Sequence, residues 1–160
     1  MERTGGVLLV ECLRALGARH SFGVPGESYL AVLDALHDTR SSDLGANNSL
    51  DFTLCRNEGG ASFMAAAYGK LTGVPGLCFV TRGPGATNAS IGVHTAMQDS
   101  TPMILFVGQV GTEMREREAF QEINYRAYFG ALAKWTTEID QVDRIPEIIA
   151  RAWHTAVTGP

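Results

Sequence analysis

Apolar residues recur along this chain at helical spacing in some stretches and as short continuous runs in others, and the alternation predicts an order of elements. Val7, Leu8, Val10, Leu13 and Leu16 fall at helical spacing behind Thr4, a residue suited to capping, and Gly17 closes the pattern. The chain then reads as extended over Ser21-Phe22-Gly23-Val24, turns at Pro25-Gly26, and resumes helical spacing from Glu27 to His37 through Leu30, Val32, Leu33 and Leu36. Asp38 to Ser49 is polar and loop-like. There follow a strand from Asp51 to Cys55, a helix of small residues through Lys70, a strand around Leu77 to Val80, a helix from Ala86 to about Met97, and a buried strand over Met103 to Val107. Gly111 to Glu122 is charged and fits an exposed loop with a short helix. A strand around Trp135 to Ile139 and a helix from Asp143 to Val157 end the series.

Strands that are near-continuous apolar runs, alternating with helices, point to a parallel sheet covered on both faces. The expected fold is therefore α/β: a three-layer α/β/α doubly wound domain with a mostly parallel sheet. Residues 1–160 read as one domain, with no repeat, low-complexity tract or linker. A net charge of −4 provides no electrostatic footprint for nucleic acid or an anionic membrane surface. No signal-peptide pattern is visible, and no apolar run approaches the roughly 18 residues of a membrane span. Cys12, Cys55 and Cys78 are an odd set inside apolar runs, which reads as buried thiols in a reducing, cytoplasmic setting.

The 18 glycines fall mostly at predicted strand ends, where close ligand approach needs them. The stretch that stands out is Arg56-Asn57-Glu58-Gly59-Gly60-Ala61, with Glu58 at a strand-to-helix joint. Strand carboxyl ends face the ligand crevice in open α/β sheets, so an acid there is presented to whatever binds. A plain helix-terminal acid, stabilised by the dipole, occupies the same place. Gly83-Pro84-Gly85 opens a helix after a strand, but Pro84 removes a donor and the spacing matches no phosphate-binding loop. His20, His37, His94 and His154 lie apart and read as structural or surface residues, and no metal-ligand set is visible.

Taken in order, Phe22-Gly23-Val24-Pro25-Gly26, Arg56-Asn57-Glu58, Gly83-Pro84-Gly85-Ala86-Thr87-Asn88, Gly108-Gln109 and Ala119-Phe120-Gln121-Glu122 resemble the N-terminal pyrimidine-binding domain of thiamine-diphosphate-dependent enzymes, nearest the acetolactate synthase group. The resemblance covers nearly the whole chain. It implies a thiamine-diphosphate-binding fold and places Glu58, as catalytic residue, on the ring nitrogen of the aminopyrimidine. A carboxyl donating a hydrogen bond there makes the cofactor's own exocyclic amine basic enough to take the proton from thiazolium C2. Such a role favours a dry pocket, which the surrounding glycines and alanines are expected to supply.

The resemblance further implies that Val24, Pro25, Gly26, Gly85, Thr87 and Asn88 border the cofactor cleft, with the helix after Gly85 at a subunit interface. Phe120 and Gln121 match a segment that lines the active site. Glu27 departs from the small residue usual in acetolactate synthases, and it reads equally as a substrate-facing carboxylate or as an ordinary helix-terminal acid. Asn57 and Gly59 replace a histidine and a glutamine common beside the glutamate. Magnesium and the diphosphate are expected on a separate diphosphate-binding domain, contributed by another subunit of a homodimer or homotetramer.

Three functions follow as expectations. The first is an excised domain of an acetolactate-synthase-like enzyme acting on 2-oxo acids by decarboxylation or carboligation, inactive alone, its relatives continuing past a sequence like Thr158-Gly159-Pro160 into further domains. The second is a natural small subunit of a split sulfopyruvate- or phosphonopyruvate-type decarboxylase. The third is a non-enzymatic nucleotide-binding or interaction domain of the same fold.

Overall fold

The chain is described here from a computed structural model covering residues 3–41 and 49–159. Helix α1 spans Gly5–Ala15, and the Thr4 side chain accepts from the Val7 N–H at 3.3 Å, satisfying one of its free donors. Gly17 then leaves the helix at φ +102°, a conformation that favours glycine. Strand β1 (His20–Gly23) leads through a 3-10 turn at Glu27–Tyr29 into α2 (Leu30–Ser41). Then come β2 (Asp51–Leu54), α3 (Glu58–Thr72), β3 (Gly76–Val80), α4 (Pro84–Gln98) and β4 (Met103–Val107). A short α5 (Tyr125–Phe129) and α6 (Ile145–Val157) complete the described elements.

The four strands form one sheet in the order β2-β1-β3-β4, every pair parallel. The chain moves from β1 outward to β2 and then returns past β1 to β3, so the strand order reverses between β1 and β3. The expected doubly wound sheet is thus present, and its crevice for ligands lies beyond the carboxyl ends of those two strands.

Alternation sorts the strand side chains onto two buried faces. Leu77, Phe79 and Ile104 pack with Leu9, Val10 and Leu13 of α1, Ala35 and Leu36 of α2, and Ile145 and Ile149 of α6. On the other face Phe22, Cys78 and Val80 meet Ala61 and Ala65 of α3 and Ala89 of α4. This second layer lies very close to the sheet. A Cβ at Gly76 would sit 1.8 Å from the Ala65 carbonyl oxygen, and one at Gly69 would sit 2.0 Å from that of Pro102. Between the helices, a Cβ at Gly92 would lie 2.3 Å from Ser62 Oγ.

Several sequence-based boundaries move. Helix α2 starts after a 3-10 turn and runs past His37 to Ser41, and residues 42–48 of the expected polar loop lie outside the described residues, as does Pro160. The expected strand around Trp135 to Ile139 pairs with nothing among the described residues. Glu138 instead pairs with Arg115 at 2.7 Å, and the Trp135 ring faces the Arg151 guanidinium at 4.8 Å. Helix α5 was not expected; Asn124 Oδ1 caps it by accepting from the Ala127 N–H at 3.0 Å. Of the three free thiols expected to be buried, Cys78 is; Cys12 and Cys55 are half-buried.

The depth of packing predicts a contrast between two leucines. Leu77→Ala, at a fully buried strand position, is expected to lower unfolding stability by about 2–5 kcal/mol. Leu71→Ala, at an 86% exposed position on α3, should change it by less than about 0.5 kcal/mol. Urea denaturation of both variants checks the layer assignment, and equal losses would contradict it.

Candidate active site

Asn57 holds the N-terminus of α3. Its side-chain Oδ1 accepts from the Gly60 N–H at 3.1 Å, so the residue that stands where a histidine is usual serves as the helix cap. Glu58 is the first residue of the helix, where the free N–H groups favour negative charge. Gly59 is buried because α4 passes over it; a Cβ there would lie 3.4 Å from the Asn88 carbonyl oxygen.

Across that contact Asn88 Nδ2 donates to Glu58 Oε2 at 3.0 Å. The other carboxyl oxygen, Oε1, faces Gly85, where a Cβ would stand 3.7 Å from it. Thr81 links this corner to the first loop: a Cβ at Gly85 would meet Thr81 Cγ2 at 2.9 Å, and one at Gly26 would meet Thr81 Cβ at 2.5 Å. Gly26, Gly85, Asn88 and Glu58 are therefore brought together around Thr81, a residue the sequence did not single out. Glu58 is half-buried rather than fully enclosed, and the small residues around it admit α4.

The Val24-Pro25-Gly26 turn is pinned from below. Val24 N–H donates to the Phe79 carbonyl at 3.3 Å, and the Tyr29 hydroxyl donates to the Val24 carbonyl. Burial, with smaller contributions from Cys78 and Glu58, pushes the Tyr29 phenol well above its usual range and keeps it a donor. Burial likewise pushes the Cys78 thiol up to about 12, with the nearby Cys55 and Glu58 adding to the effect.

A second group forms beside the first. Arg82 Nη2 donates to Glu27 Oε1 at 2.5 Å, and Arg82 Nε donates to the Phe120 carbonyl at 3.0 Å. Gly83, at φ +62°, leaves room for Gln121, and its N–H is taken by the Tyr125 hydroxyl at 2.8 Å, so the Gly83-Pro84-Gly85 turn is not an open anion cradle. Thr87 stays apart from both groups, its hydroxyl donating to the Pro84 carbonyl at 3.0 Å on the exposed side of α4. Arg82 is a site residue that sequence reasoning passed over; an arginine beside a glycine-rich turn at a strand end was the available signal.

A cavity of about 830 Å³ is lined by β4 and residues 133–139, with Ser28, Gly108 and Gln109 also in its wall, and Glu58 is not part of that lining. Among the described residues no group of three His, Cys, Asp or Glu side chains could hold a metal ion, and no helix is long and apolar enough to cross a membrane.

A parallel switch-point sheet, an acid at the start of α3 and glycine-lined turns at the ends of β1 and β3 define a cofactor-binding α/β domain. The sequence model of the thiamine pyrophosphate enzyme, N-terminal TPP binding domain family matches residues 3–128, and the chain belongs to that family. It is 36% identical over 157 residues to the mitochondrial acetolactate synthase catalytic subunit of Aspergillus candidus, covering 98% of this chain and 22% of that protein. It is 35% identical over 159 residues to the acetolactate synthase of Bacillus subtilis, covering 99% of this chain and 26% of that one. A probable acetolactate synthase large subunit of Methanococcus aeolicus is 37% identical over 155 residues, covering 97% and 24%. The chain spans about a quarter of the length of these curated relatives.

Cys78 provides a pH test of the packing behind the site. Its folded pKa lies above the ordinary 9.0, so the neutral thiol's contribution to stability is fully present below about pH 9 and is lost as pH rises toward about 12. The urea midpoint of the unaltered chain should therefore fall more between about pH 8 and pH 10.5 than that of Cys78→Ala. Parallel curves would show that the thiol is not held neutral.

Proposed function

We propose that this chain binds and activates the aminopyrimidine ring of thiamine diphosphate, as the N-terminal domain of an acetolactate-synthase-like enzyme that acts on 2-oxo acids by decarboxylation or carboligation. The observation that carries the reading is the Glu58 carboxyl, set at the start of α3 with one oxygen taken by Asn88 and the other beside the side-chain-free Gly85. The residues fit such a ring. Gly26 and Gly85 both pack directly against Thr81, which brings the two turns close together, and the Glu58 carboxyl stands beside Gly85.

When bound, thiamine diphosphate supplies a thiazolium carbon that acts as nucleophile and electron sink. The chain's part is to hold a proton at the right atom. Asn88 Nδ2 keeps Glu58 Oε2 as an acceptor, which leaves Oε1 to carry the proton and donate it to a ring nitrogen. Val24, Pro25 and Gly26, tied through Tyr29 to β3, form the opposite border, and Phe120 and Gln121 face the reacting end. Thr87 helps shape the rim through α4.

Within this chain Glu58 is half-buried, so a neighbour would complete the exclusion of water. Phe63, Met64 and Leu71 on α3 and Ile91 and Met97 on α4 are exposed apolar residues suited to a covering partner. We assign that cover to the diphosphate-binding domain of another subunit in a homodimer or homotetramer, with magnesium and the diphosphate held there. Three free thiols suit a reducing, cytoplasmic setting.

Glu58→Gln in the full-length enzyme tests the reading. With the fold and cofactor affinity retained, kcat on a 2-oxo acid should fall by about 10²- to 10⁴-fold, the usual scale of acid–base catalysis. Retention of kcat within about twofold would reduce Glu58 to a helix-terminal acid worth ~0.3–1 kcal/mol.

A further inference from the structure

The stretch from Glu113 to Glu122 has little regular structure, yet it holds three non-glycine residues in the left-handed region: Glu116 at φ +60°, Glu118 at +53° and Gln121 at +63°. Such conformations persist only where the surroundings over-determine them. The base of the stretch is held well. Arg115 pairs with Glu138 at 2.7 Å and reaches Glu122 at 3.8 Å, and Glu122 Oε1 accepts from the Glu116 N–H at 2.9 Å. The tip is different. Phe120 is 74% exposed, so apolar packing does not hold it.

What reaches the tip is Arg82. Its side chain is only 13% exposed, and Nε donates to the Phe120 carbonyl while Nη2 donates to Glu27. Its own backbone N–H donates to Ser28 Oγ at 3.3 Å, and that hydroxyl also bonds Thr81 Oγ1 at 2.9 Å. The end of β3 is thereby knotted to the turn that carries Glu27. Because Glu27 is 71% exposed, its ion pair is screened and contributes little by itself; its role is to aim the guanidinium. The charge-assisted bond to the Phe120 carbonyl does the holding.

We propose that Arg82 is a positioning residue: aimed by Glu27, it fixes the Phe120–Gln121 tip beside the ends of β1 and β3, and so sets the wall that a 2-oxo acid meets in the cleft. Glu27 is then neither a bare substrate-facing carboxylate nor a simple helix-terminal acid, but the aiming partner of this clamp. The positioning claim stands on the contacts alone, whereas the link to substrate rests on the proposed function.

The test uses the full-length enzyme, with Arg82→Gln, Arg82→Lys and Glu27→Gln. Amide hydrogen exchange of residues 116–122 should accelerate by about tenfold or more in Arg82→Gln, the loss expected for one charge-assisted bond, with β1 and β3 protection unchanged. Lysine should not restore protection, because an ammonium cannot form two fork-like bonds in fixed directions. With pyruvate as the probe substrate, KM should rise by about tenfold while kcat stays within about threefold. Unchanged exchange at 116–122 in a folded Arg82→Gln would overturn the proposal, as would full rescue by lysine. If Arg82→Gln loses protection throughout, Glu27→Gln decides: acceleration confined to 116–122 supports the clamp, and no change overturns it. Faster loop exchange with unaltered pyruvate kinetics would keep the clamp but overturn its link to substrate, and failure of the unaltered enzyme to bind thiamine diphosphate would sink the cofactor reading alone.

Discussion

The seating of α3 on the sheet is the constraint on which the rest depends. Glycines stand at three of the closest approaches of α3: Gly76 under Ala65, Gly69 against Pro102, and Gly92 over Ser62. Each contact is too close for a Cβ, so the helix cannot slide or lift without losing several at once. A helix so fixed along its axis also fixes its first residue. Glu58 therefore owes its position to packing roughly one, two and three turns away as much as to its own cap at Asn57.

From that fixed point the site grows in two steps. The first is the corner of Glu58, Asn88, Gly85, Thr81 and Gly26, where small residues leave room and one carboxyl oxygen is already engaged. The second is the clamp of Glu27, Arg82 and Phe120, which draws together turns remote in sequence. Residues 81–85 belong to both, so the end of β3 and the start of α4 couple the acid to the loop. The half-buried carboxyl and the apolar residues on the outer faces of α3 and α4 fit a domain whose site is finished by a neighbour.

Most of the fold was legible because its signals are local. Thr4, Gly17 and the apolar spacing between them define α1, and the continuous runs at β3 and β4 mark strands buried on both faces. Glu58 was legible as an acid at a strand-to-helix joint. The misreadings involve partners distant in sequence. Trp135 to Ile139 has strand-like residues but no ladder among the described residues, and whether a run is a strand depends on a neighbour the run does not name. Helix α5 has only five residues, too few for periodicity to show. Arg82 and Glu27 lie 55 positions apart, and neither residue type betrays the pairing. Dryness around Glu58 was inferred from small neighbours, yet small neighbours there serve close helix contact.

The central claim is that the Glu58 carboxyl, with one oxygen held by Asn88, would hold a proton at the aminopyrimidine ring nitrogen and so favour loss of the proton from thiazolium C2. Hydrogen–deuterium exchange at thiazolium C2, followed by quenched NMR at saturating cofactor in the unaltered enzyme and in Glu58→Gln, reads that effect without any substrate. Exchange slowed by orders of magnitude in the variant is the predicted result. Equal rates in the two proteins would contradict it and leave Glu58 as no more than the first acid of a helix.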